Sequence, residues 1–185
     1  MLPQAPGPRR RGPTLAGVEI RVARTDEYDA IAALTVAAYA ALEGMGPLGA
    51  YGEELADIAG RGPGATVLVA VNGTELLGDV TYYPRYAQEM ASLAPLLGEL
   101  AGFRMLATAP AAQGRGVGAA LTLACVERAR LDGATGVALH TTDLMPAAQR
   151  LYHRLGFSRW DALDVSFGRT RKVQVLGFRL LFEET

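Results

Sequence analysis

Residues 110–121 read Pro-Ala-Ala-Gln-Gly-Arg-Gly-Val-Gly-Ala-Ala-Leu, a stretch that decides the fold. Three glycines occupy alternate positions from Gly114 to Gly118, between a predicted strand at 103–109 and a predicted helix that begins near Gly114. Because glycine has no Cβ, a bulky anion can approach the main chain closely at such a turn. The unpaired N–H groups and the positive end of the helix dipole favour a phosphate or pyrophosphate. Arg115 adds a positive charge at the rim.

Two other phosphate-binding motifs fit this turn less well. A Walker P-loop requires a lysine after its last glycine, and no lysine stands at that position. The dinucleotide fingerprint G-x-G-x-x-[GA] is formally matched by Gly114, Gly116 and Ala119. That fingerprint normally opens the first βαβ unit directly after its strand, whereas here it lies past the midpoint of the chain. For the turn taken alone, a glycine-rich turn without a ligand is the alternative.

A longer pattern that includes this turn resembles the acetyl-CoA-binding motif of the GNAT superfamily of N-acetyltransferases. The turn has the spacing Gln-x-x-Gly-x-Gly at 113–118, and it follows Leu-Ala-Thr-Ala-Pro at 106–110, where the family motif has L-A-V-x-P. Residues 148–157, Ala-Gln-Arg-Leu-Tyr-His-Arg-Leu-Gly-Phe, resemble the family's segment A-x-x-L-Y-x-x-x-G-F. Both motifs occur in the family's order, so the chain from Val18 onward is identified as a member of this family.

The resemblance implies a binding site for acetyl-CoA as the acyl donor. The implied donor-binding residues are Leu106, Ala107, Thr108, Gln113, Gly114, Arg115, Gly116, Val117, Gly118 and Ala119. In the family, the strand residues present a free edge to the amide groups of the donor, and a backbone N–H beyond the strand stabilises the carbonyl oxygen as charge develops. The family often has asparagine where this chain has Met145. We therefore expect the pantetheine arm to rely more on backbone groups.

Tyr152 is the catalytic candidate that the resemblance implies. It corresponds to the family tyrosine that donates a proton to the departing CoA thiolate, a reasonable role for a phenol with a pKa of about 10. A tyrosine packed in the core is the alternative. The general base is not evident: Glu99 precedes the strand that leads to Leu106, and His140 lies on a predicted strand at 137–141, where a buried histidine is the simpler interpretation.

Two hypotheses about function follow from these residues. The first is an enzyme that transfers an acetyl or longer acyl group to a primary amine of a small molecule or peptide, by direct attack in a ternary complex. The second is a catalytically silent acyl-CoA-binding or regulatory module on the same fold. The acceptor has no motif of its own, although Tyr39 on the first predicted helix is expected to face it. Asp143 is predicted to be the N-cap of the helix that begins at Pro146.

The predicted elements follow the order β-α-α-β-β-β-α-β-α-β-β, which indicates the α/β class with a mixed sheet. The resemblance implies a mostly antiparallel, twisted sheet that is splayed between two parallel strands and flanked by about four helices. Residues 1–17, with four prolines and a basic triplet, are predicted to be a flexible tail. Residues 18–185 are predicted to form a single N-acetyltransferase-like domain, and the apolar run 173–182 suggests a sheet edge that a homodimer would use.

The composition excludes several other classes of protein. The chain has 185 residues and a formal net charge of −1, which argues against nucleic acid as the main ligand. One cysteine, Cys125, and two histidines cannot form an intramolecular disulfide or a structural zinc site. No apolar stretch is long enough to span a membrane. We therefore expect a cytoplasmic protein that uses no metal and associates with neither membrane nor nucleic acid.

Overall fold

The computed structural model describes residues 17–62, 64–167 and 173–183, apart from the side chain of Phe167. Within these ranges eight strands form one sheet. The strands are β1 (Glu19–Val22), β2 (Thr66–Asn72), β3 (Glu75–Tyr83), β4 (Ala101–Thr108), β5 (Gly136–Thr142), β6 (Ser158–Arg159), β7 (Val165–Phe167) and β8 (Val173–Leu181). Their order is β1-β2-β3-β4-β5-β8-β6, with β7 also paired to β8. The β4–β5 pair is parallel and the other pairs are antiparallel, which confirms the predicted fold class.

Helices cover the sheet on both of its faces. They are α1 (Tyr28–Ala40), α2 (Ala50–Ala56), α3 (Tyr86–Glu89), α4 (Ala94–Leu97), α5 (Val117–Leu131) and α6 (Pro146–Arg154). Within β2, Leu68 packs with Leu121 of α5, whereas Val67 and Val69 pack with Ile31 of α1. Successive residues of a strand point to opposite faces of the sheet. The two longest helices therefore lie on opposite faces.

The parallel strands β4 and β5 pair at one end and separate at the other. Their register joins Ala101 to Val137, Gly102 to Ala138 and Phe103 to Leu139. Beyond this point β4 continues beside β3, and β5 continues beside β8. The strands therefore diverge, as predicted, and we call the space between them the β4–β5 opening.

A β-bulge bends β4 at this opening. The register of β3 with β4 shifts between Asp79 and Thr81, so Met105 and Leu106 together oppose Val80. Met105 has a φ of 55°, in the left-handed region that non-glycine residues rarely adopt. An additional residue in one strand bends it locally, and here the bulge lies just beyond Phe103 and Leu139, the last register pair of β4 and β5.

Several predicted details differ from the structure. The helix predicted to begin near Gly114 begins at Val117, because Gly114 and Gly116 have φ values of 74° and 88°, which no α-helix accommodates. The N-cap of α6 is Met145, so the assignment of Asp143 to that role is wrong.

The C-terminal strand also differs from its prediction. The run 173–182 was expected to offer a free sheet edge, but β8 lies between β5 and β6 and also pairs with β7, so this expectation is wrong. The homodimer itself stays a prediction. The predicted tail, apart from Gly17, and the predicted turn at 168–170 lie outside the described residues.

Two functional features are absent from the part of the chain that the structure describes. None of its helices combines the length and the apolar character that crossing a membrane requires. Likewise, none of its groups of His, Cys, Asp and Glu side chains is arranged to hold a metal ion.

A buried ion pair fixes the connection between α2 and β2 against the sheet. The side chain of Arg61 is 2% exposed, that of Asp79 on β3 is fully buried, and their closest N–O distance is 3.5 Å. Arg61 also donates to the Thr81 hydroxyl and to the Leu55 carbonyl. The Thr35 hydroxyl of α1 lies 2.9 Å from Asp79 Oδ1. Burial raises the pKa of Asp79 to about 7, although Arg61 and Thr35 act to lower it.

The substitution Arg61→Met should destabilise the fold by about 3 kcal/mol at pH 8, because it leaves a buried carboxylate without its partner. The loss should be smaller at pH 5. The pKa of Asp79 in the folded protein, about 7, is above its ordinary value of 3.8. Between these two pH values the unfolded chain therefore takes up a proton at Asp79 when it folds, and lowering the pH stabilises the folded state. Without Arg61 the folded pKa rises further, which increases this effect. Urea unfolding at the two pH values measures both free energies.

The matched control is Arg85→Met, which removes the exposed ion pair with Glu99, whose two side chains are 55% and 64% exposed. The free energy of unfolding of this variant should decrease by less than about 1 kcal/mol at either pH, because solvent screens the charges of exposed ion pairs. Equal losses for the two variants would show that the Arg61–Asp79 pair does not hold the connection.

Candidate functional site

A groove of about 340 Å³ follows the C-terminal half of β4. Four of the predicted donor-binding residues line it, namely Leu106, Ala107, Thr108 and Gln113. Tyr39 of α1 and residues 144–148, at the start of α6, line its other side. We call this cavity the β4 groove, and it lies along the edge of β4 that faces the β4–β5 opening.

The backbone of β4 divides its polar groups between the two edges of the strand. The N–H of Ala109 donates to the carbonyl of Leu77 on β3, and Ala107 is the register partner of Asp79 on β3. Since the backbone groups of successive strand residues point to alternate sides, those of Leu106 and Thr108 point toward the opening. Of the three predicted strand residues, these two offer N–H and C=O groups to a ligand.

The N-terminus of α5 lies beside the β4 groove. A Cβ atom added at Gly118 would lie 3.7 Å from Thr108 Oγ1 and 4.0 Å from Leu106 Cδ2. The N-cap is Gly116, which has no side chain to accept the first N–H groups of the helix, and these groups have no acceptor within the helix. Val117 is 1% exposed and its side chain packs in the core, which anchors this end of the helix. This helix end therefore offers N–H donors and a positive partial charge beside the groove.

The other residues of the predicted turn lie at the surface near the groove. Gly114, Gly116 and Arg115 are exposed, and Ala119 is half-buried in the first turn of α5. The guanidinium of Arg115 is therefore accessible to an anion at this helix end, as the sequence predicted for a charge at the rim. Of the ten predicted donor-binding residues, four line the β4 groove, and the other six lie in the turn at 114–116 and in the first turn of α5.

Tyr152 packs beneath the β4–β5 opening. Its ring centroid lies 5.9 Å from those of Phe103, Phe157 and Phe178, and the residue is 4% exposed. Burial raises the pKa of its phenol above 10. The ring is thus part of the core, and the proton-donor role of the hydroxyl stays a prediction.

A second cavity, of about 490 Å³, occupies the β4–β5 opening beyond the groove. We call it the apolar chamber. Its walls are mainly apolar and come from the α1–α2 connection and from the β7–β8 pair; they include Met45, Pro47, Leu48, Val165, Val173 and Val175. Its floor comes from β4 and β5 and includes Arg104, Met105, His140, Thr141 and Thr142. Both volumes lie in the range of small-molecule sites.

The two cavities meet at Tyr39 and Met145, because these residues line both of them. The expectation that Tyr39 faces the acceptor stays a prediction. Met145, which replaces the asparagine often found in the family, packs in an apolar cluster with Tyr39 and Leu55. Its main-chain N–H donates to the carbonyl of Thr142 on β5. A ligand in the groove and a ligand in the chamber would therefore come together at this junction.

The charged residue of the chamber floor is Arg104, which is already paired. Its two terminal nitrogens donate to Glu89 of α3 and Glu54 of α2. The two pairs connect both short helices to β4 at the bulge. The carboxylates of Glu89 and Glu54 therefore neutralise the guanidinium of Arg104, which is not an unpaired cation.

His140, a candidate general base, is hydrogen-bonded at both ring nitrogens. Its Nε2 lies 3.0 Å from the Leu163 carbonyl, which can only accept, so Nε2 carries the hydrogen. Nδ1 lies 3.2 Å from the Tyr86 hydroxyl and accepts from it. Burial lowers the pKa of His140, and Arg104 acts in the same direction, so the ring is neutral at pH 7. The histidine is therefore hydrogen-bonded at both nitrogens, as the simpler interpretation of the sequence suggests, but it is half-buried rather than buried.

The remaining candidate lies outside both cavities. Glu99 precedes β4 and pairs with Arg85 at the surface. Two further groups with reactive atoms are not candidates: Tyr82 is buried beneath α5, where its hydroxyl donates to Asp132, and Cys125 is buried on that helix. The sequence missed Arg104 as a site residue. Its signal was a single charge inside the otherwise apolar strand Ala101–Thr108.

Comparisons with known proteins identify relatives of this sequence. It is 34% identical over 125 residues to a mycothiol acetyltransferase of Pseudarthrobacter chlorophenolicus, covering 63% of this chain and 36% of that protein. It is 48% identical over 54 residues to a mycothiol acetyltransferase of Renibacterium salmoninarum, covering 29% and 16% of the two chains. The chain therefore spans about a third or less of the length of these curated relatives.

Solved structures share the fold of this chain at low sequence identity. An acetyltransferase of the GNAT family from Staphylococcus aureus Mu50 has a TM-score of 0.70 and 13% identity, over 90% of this chain and 99% of that one. The protein yncA of Salmonella typhimurium, solved with its cofactor acetyl-CoA, has a TM-score of 0.67 and 20% identity, over 91% and 96%. The model of the Acetyltransferase (GNAT) family matches residues 29–157. The chain therefore belongs to the Acetyltransferase (GNAT) family.

Proposed function

We propose that this protein transfers an acetyl group from acetyl-CoA to a primary amine of a small molecule or peptide by direct attack in a ternary complex. The observation that carries the proposal is the junction of the β4 groove with the apolar chamber at Tyr39 and Met145. A donor in the groove and an acceptor in the chamber would place their reacting groups side by side. Such positioning supplies a large part of the rate enhancement in group-transfer reactions.

The groove and the adjacent helix end fit the chemistry of acetyl-CoA. The backbone groups of Leu106 and Thr108 point toward the opening, where they can pair with the amides of an extended arm as a neighbouring strand would. The N–H groups at the start of α5 suit a pyrophosphate. When bound, acetyl-CoA supplies an activated acyl group with a good leaving group. The chain holds this group at the junction and orients it toward the chamber.

Tyr152 is the proposed proton donor for the leaving sulfur. Its ring packs against that of Phe103, the last residue of β4 that is in register with β5. The amine attacks in its neutral form, so that a C–N bond forms as the C–S bond breaks. The proton that the nitrogen then loses returns through solvent to the Tyr152 phenolate left by protonation of the sulfur. Since both nitrogens of His140 are occupied, the proposal assigns no side chain as general base.

The relatives support the type of reaction. Several proteins similar to this chain are named mycothiol acetyltransferases, and yncA was solved with acetyl-CoA. Because the chain spans at most about a third of those curated relatives, their acceptor is not part of the proposal. A cytoplasmic location agrees with a buried, unpaired Cys125.

A catalytically silent acyl-CoA-binding module is the second candidate. One observation favours it: of the described residues that line the chamber, none is acidic, and the histidine there is neutral and hydrogen-bonded. The two candidates share donor binding and differ in turnover. Stabilisation by acetyl-CoA without thiol release for any amine would favour the silent module.

The substitution Gly118→Ala tests the donor site. A Cβ at this position meets only ordinary contacts, the nearest being Leu151 Cδ2 at 3.5 Å, and alanine is the better helix former, so the fold should be unaffected. The methyl group would occupy space beside Thr108 and Leu106 that the donor needs. We expect at least a tenfold loss of acetyl-CoA affinity by calorimetry, with no decrease in the melting temperature.

The matched control is Gly133→Ala, at the opposite end of α5. Gly133 has a φ of 74°, so alanine there is strained by about 1 kcal/mol, but it lies in open space away from the groove. The melting temperature of the Gly133→Ala protein should fall, while the affinity of this variant for acetyl-CoA should stay unchanged. Unchanged affinity in Gly118→Ala would place the donor elsewhere.

The substitution Tyr152→Phe tests the proton donor. Phenylalanine retains the packing against Phe103, Phe157 and Phe178, so the fold should be kept. Loss of a general acid should lower kcat by about 100-fold, measured as release of CoA thiol, with little change in the affinity for acetyl-CoA. The control Tyr82→Phe removes a buried hydroxyl whose partner is Asp132, and it should leave kcat unchanged. A Tyr152→Phe protein with the kcat of the parent would exclude the role.

A further inference from the structure

We propose that the acceptor is a primary monoamine whose body is apolar and uncharged. This inference rests on the proposed acetyl transfer and specifies its acceptor. It comes from three properties of the apolar chamber: its walls, the charge balance of its floor, and one polar atom left without a partner.

The walls of the chamber favour an apolar body. One wall comes from the α1–α2 connection, with Met45, Pro47 and Leu48, and the other from the β7–β8 pair. Val165 and Val175 are direct register partners across that pair, so their side chains lie on the same face of the sheet. Val165 is 40% exposed, an apolar surface that an apolar ligand would remove from water. Burial of such surface is the main favourable contribution to binding in sites of this kind.

The floor of the chamber offers no unpaired charge of either sign. Arg104 is paired with Glu54 and Glu89, and His140 is neutral at pH 7 because burial lowers its pKa. None of the described lining residues is an acid. A second ammonium group, or a carboxylate, on the acceptor would be buried without a partner, which is costly. The charge balance therefore disfavours diamines, polyamines and amino acids.

The hydroxyl groups that line the chamber are those of Tyr39, Tyr51, Thr141 and Thr142, and the rings of the two tyrosines pack edge to face with centroids 5.9 Å apart. Both nitrogens of His140 are occupied, and the Thr141 hydroxyl lies 3.6 Å from the sulfur of Met145. A sugar-like acceptor would exchange its bonds with water for contact with Met, Leu and Val side chains. The chamber therefore discriminates against polar bodies as well as charged ones.

One polar atom is suited to the amino group. The Oγ1 atom of Thr142 is buried and has no hydrogen-bond partner among the described residues, and Thr142 lines the chamber. Its carbonyl is bonded to the N–H of Met145, so Thr142 lies beside the junction with the groove. Its Oγ1 atom has almost no accessible surface, so it can accept an N–H of a neutral amine only once its side chain rotates toward the chamber. An uncharged, apolar surrounding also favours the neutral amine over its ammonium form, which is the form that attacks.

Two matched pairs of amines test the inference on the full-length protein. Hexylamine and 1,6-diaminohexane differ by a second ammonium group, and cyclohexylamine and glucosamine differ mainly by hydroxyl groups. Binding to the protein saturated with CoA is measured by calorimetry, and turnover with acetyl-CoA by thiol release. We expect the first member of each pair to bind at least tenfold more tightly and to show at least a tenfold higher kcat/KM.

The outcomes separate this inference from the proposed function. Acetylation with an equal or reversed preference within the pairs would overturn the inference and leave acetyl transfer standing. Preferential binding of the apolar amines without any thiol release would support the inference about the chamber and overturn the proposed acetyl transfer. Failure of all four amines to bind would overturn the inference, whatever the affinity for acetyl-CoA.

A pair of variants checks that the walls carry the preference. The double substitution Val165→Thr with Val175→Thr keeps the shape and the strand propensity of both residues and adds two hydroxyl groups to one wall. It should reduce the preference for cyclohexylamine over glucosamine several-fold. The control Val22→Thr makes the same change on β1, where Val22 is 51% exposed and outside the chamber, and it should retain the full preference. An unchanged preference in a folded double variant would show that these walls do not select the acceptor.

Discussion

Hydrogen bonding between β4 and β5 ends at Phe103 and Leu139, and both cavities lie in the space that opens there. A parallel pair that continued to Thr108 would consume the backbone groups of Leu106 and Thr108 and would close the junction at Tyr39 and Met145. Because the pairing ends where it does, the backbone N–H and C=O groups of Leu106 and Thr108 are left free to pair with a ligand. An open edge inside a sheet needs support, because unpaired backbone groups otherwise recruit other strands.

Three features of this chain support the opening. The bulge at Met105 bends β4 at the opening, and the Arg61–Asp79 pair fixes β3 to the α2–β2 connection. Beneath the opening, the ring of Tyr152 packs with three phenylalanines. This packing replaces the missing strand contacts with apolar ones. The same tyrosine thus has a structural part in its ring and a proposed chemical part in its hydroxyl.

The sequence predicted the parts of the site that depend on local backbone geometry. The glycine turn is recognisable from its alternate glycines, and the helix that carries Tyr152 is recognisable from Pro146 at its first turn and Gly156 at its end. The start of α5 was misplaced because the left-handed conformation of Gly116 (φ 88°) makes it an N-cap, and sequence alone does not distinguish a cap from a first turn. Predicted and observed bounds therefore differ there by three residues.

The chamber was beyond prediction because its walls come from segments that are distant in the sequence. Val165 and Leu48 have no shared pattern, and the pairing of Arg104 with Glu54 and Glu89 depends on the packing of two short helices against the bulge. The charge of Arg104 alone would have suggested an anion site. The structure shows that Glu54 and Glu89 neutralise this charge, and their pairing with Arg104 is not visible in the sequence. Pairing of this kind decides what the chamber can accept.

Amide hydrogen exchange with and without acetyl-CoA tests most directly whether the β4–β5 opening is the donor site. If the donor pairs with β4 and with the start of α5, exchange should slow at Leu106, Thr108 and the amides from Val117 to Ala119. The amides of β1 and β2 should exchange at an unchanged rate. Binding of acetyl-CoA that leaves exchange at Leu106, Thr108 and Val117 unaltered would contradict the account.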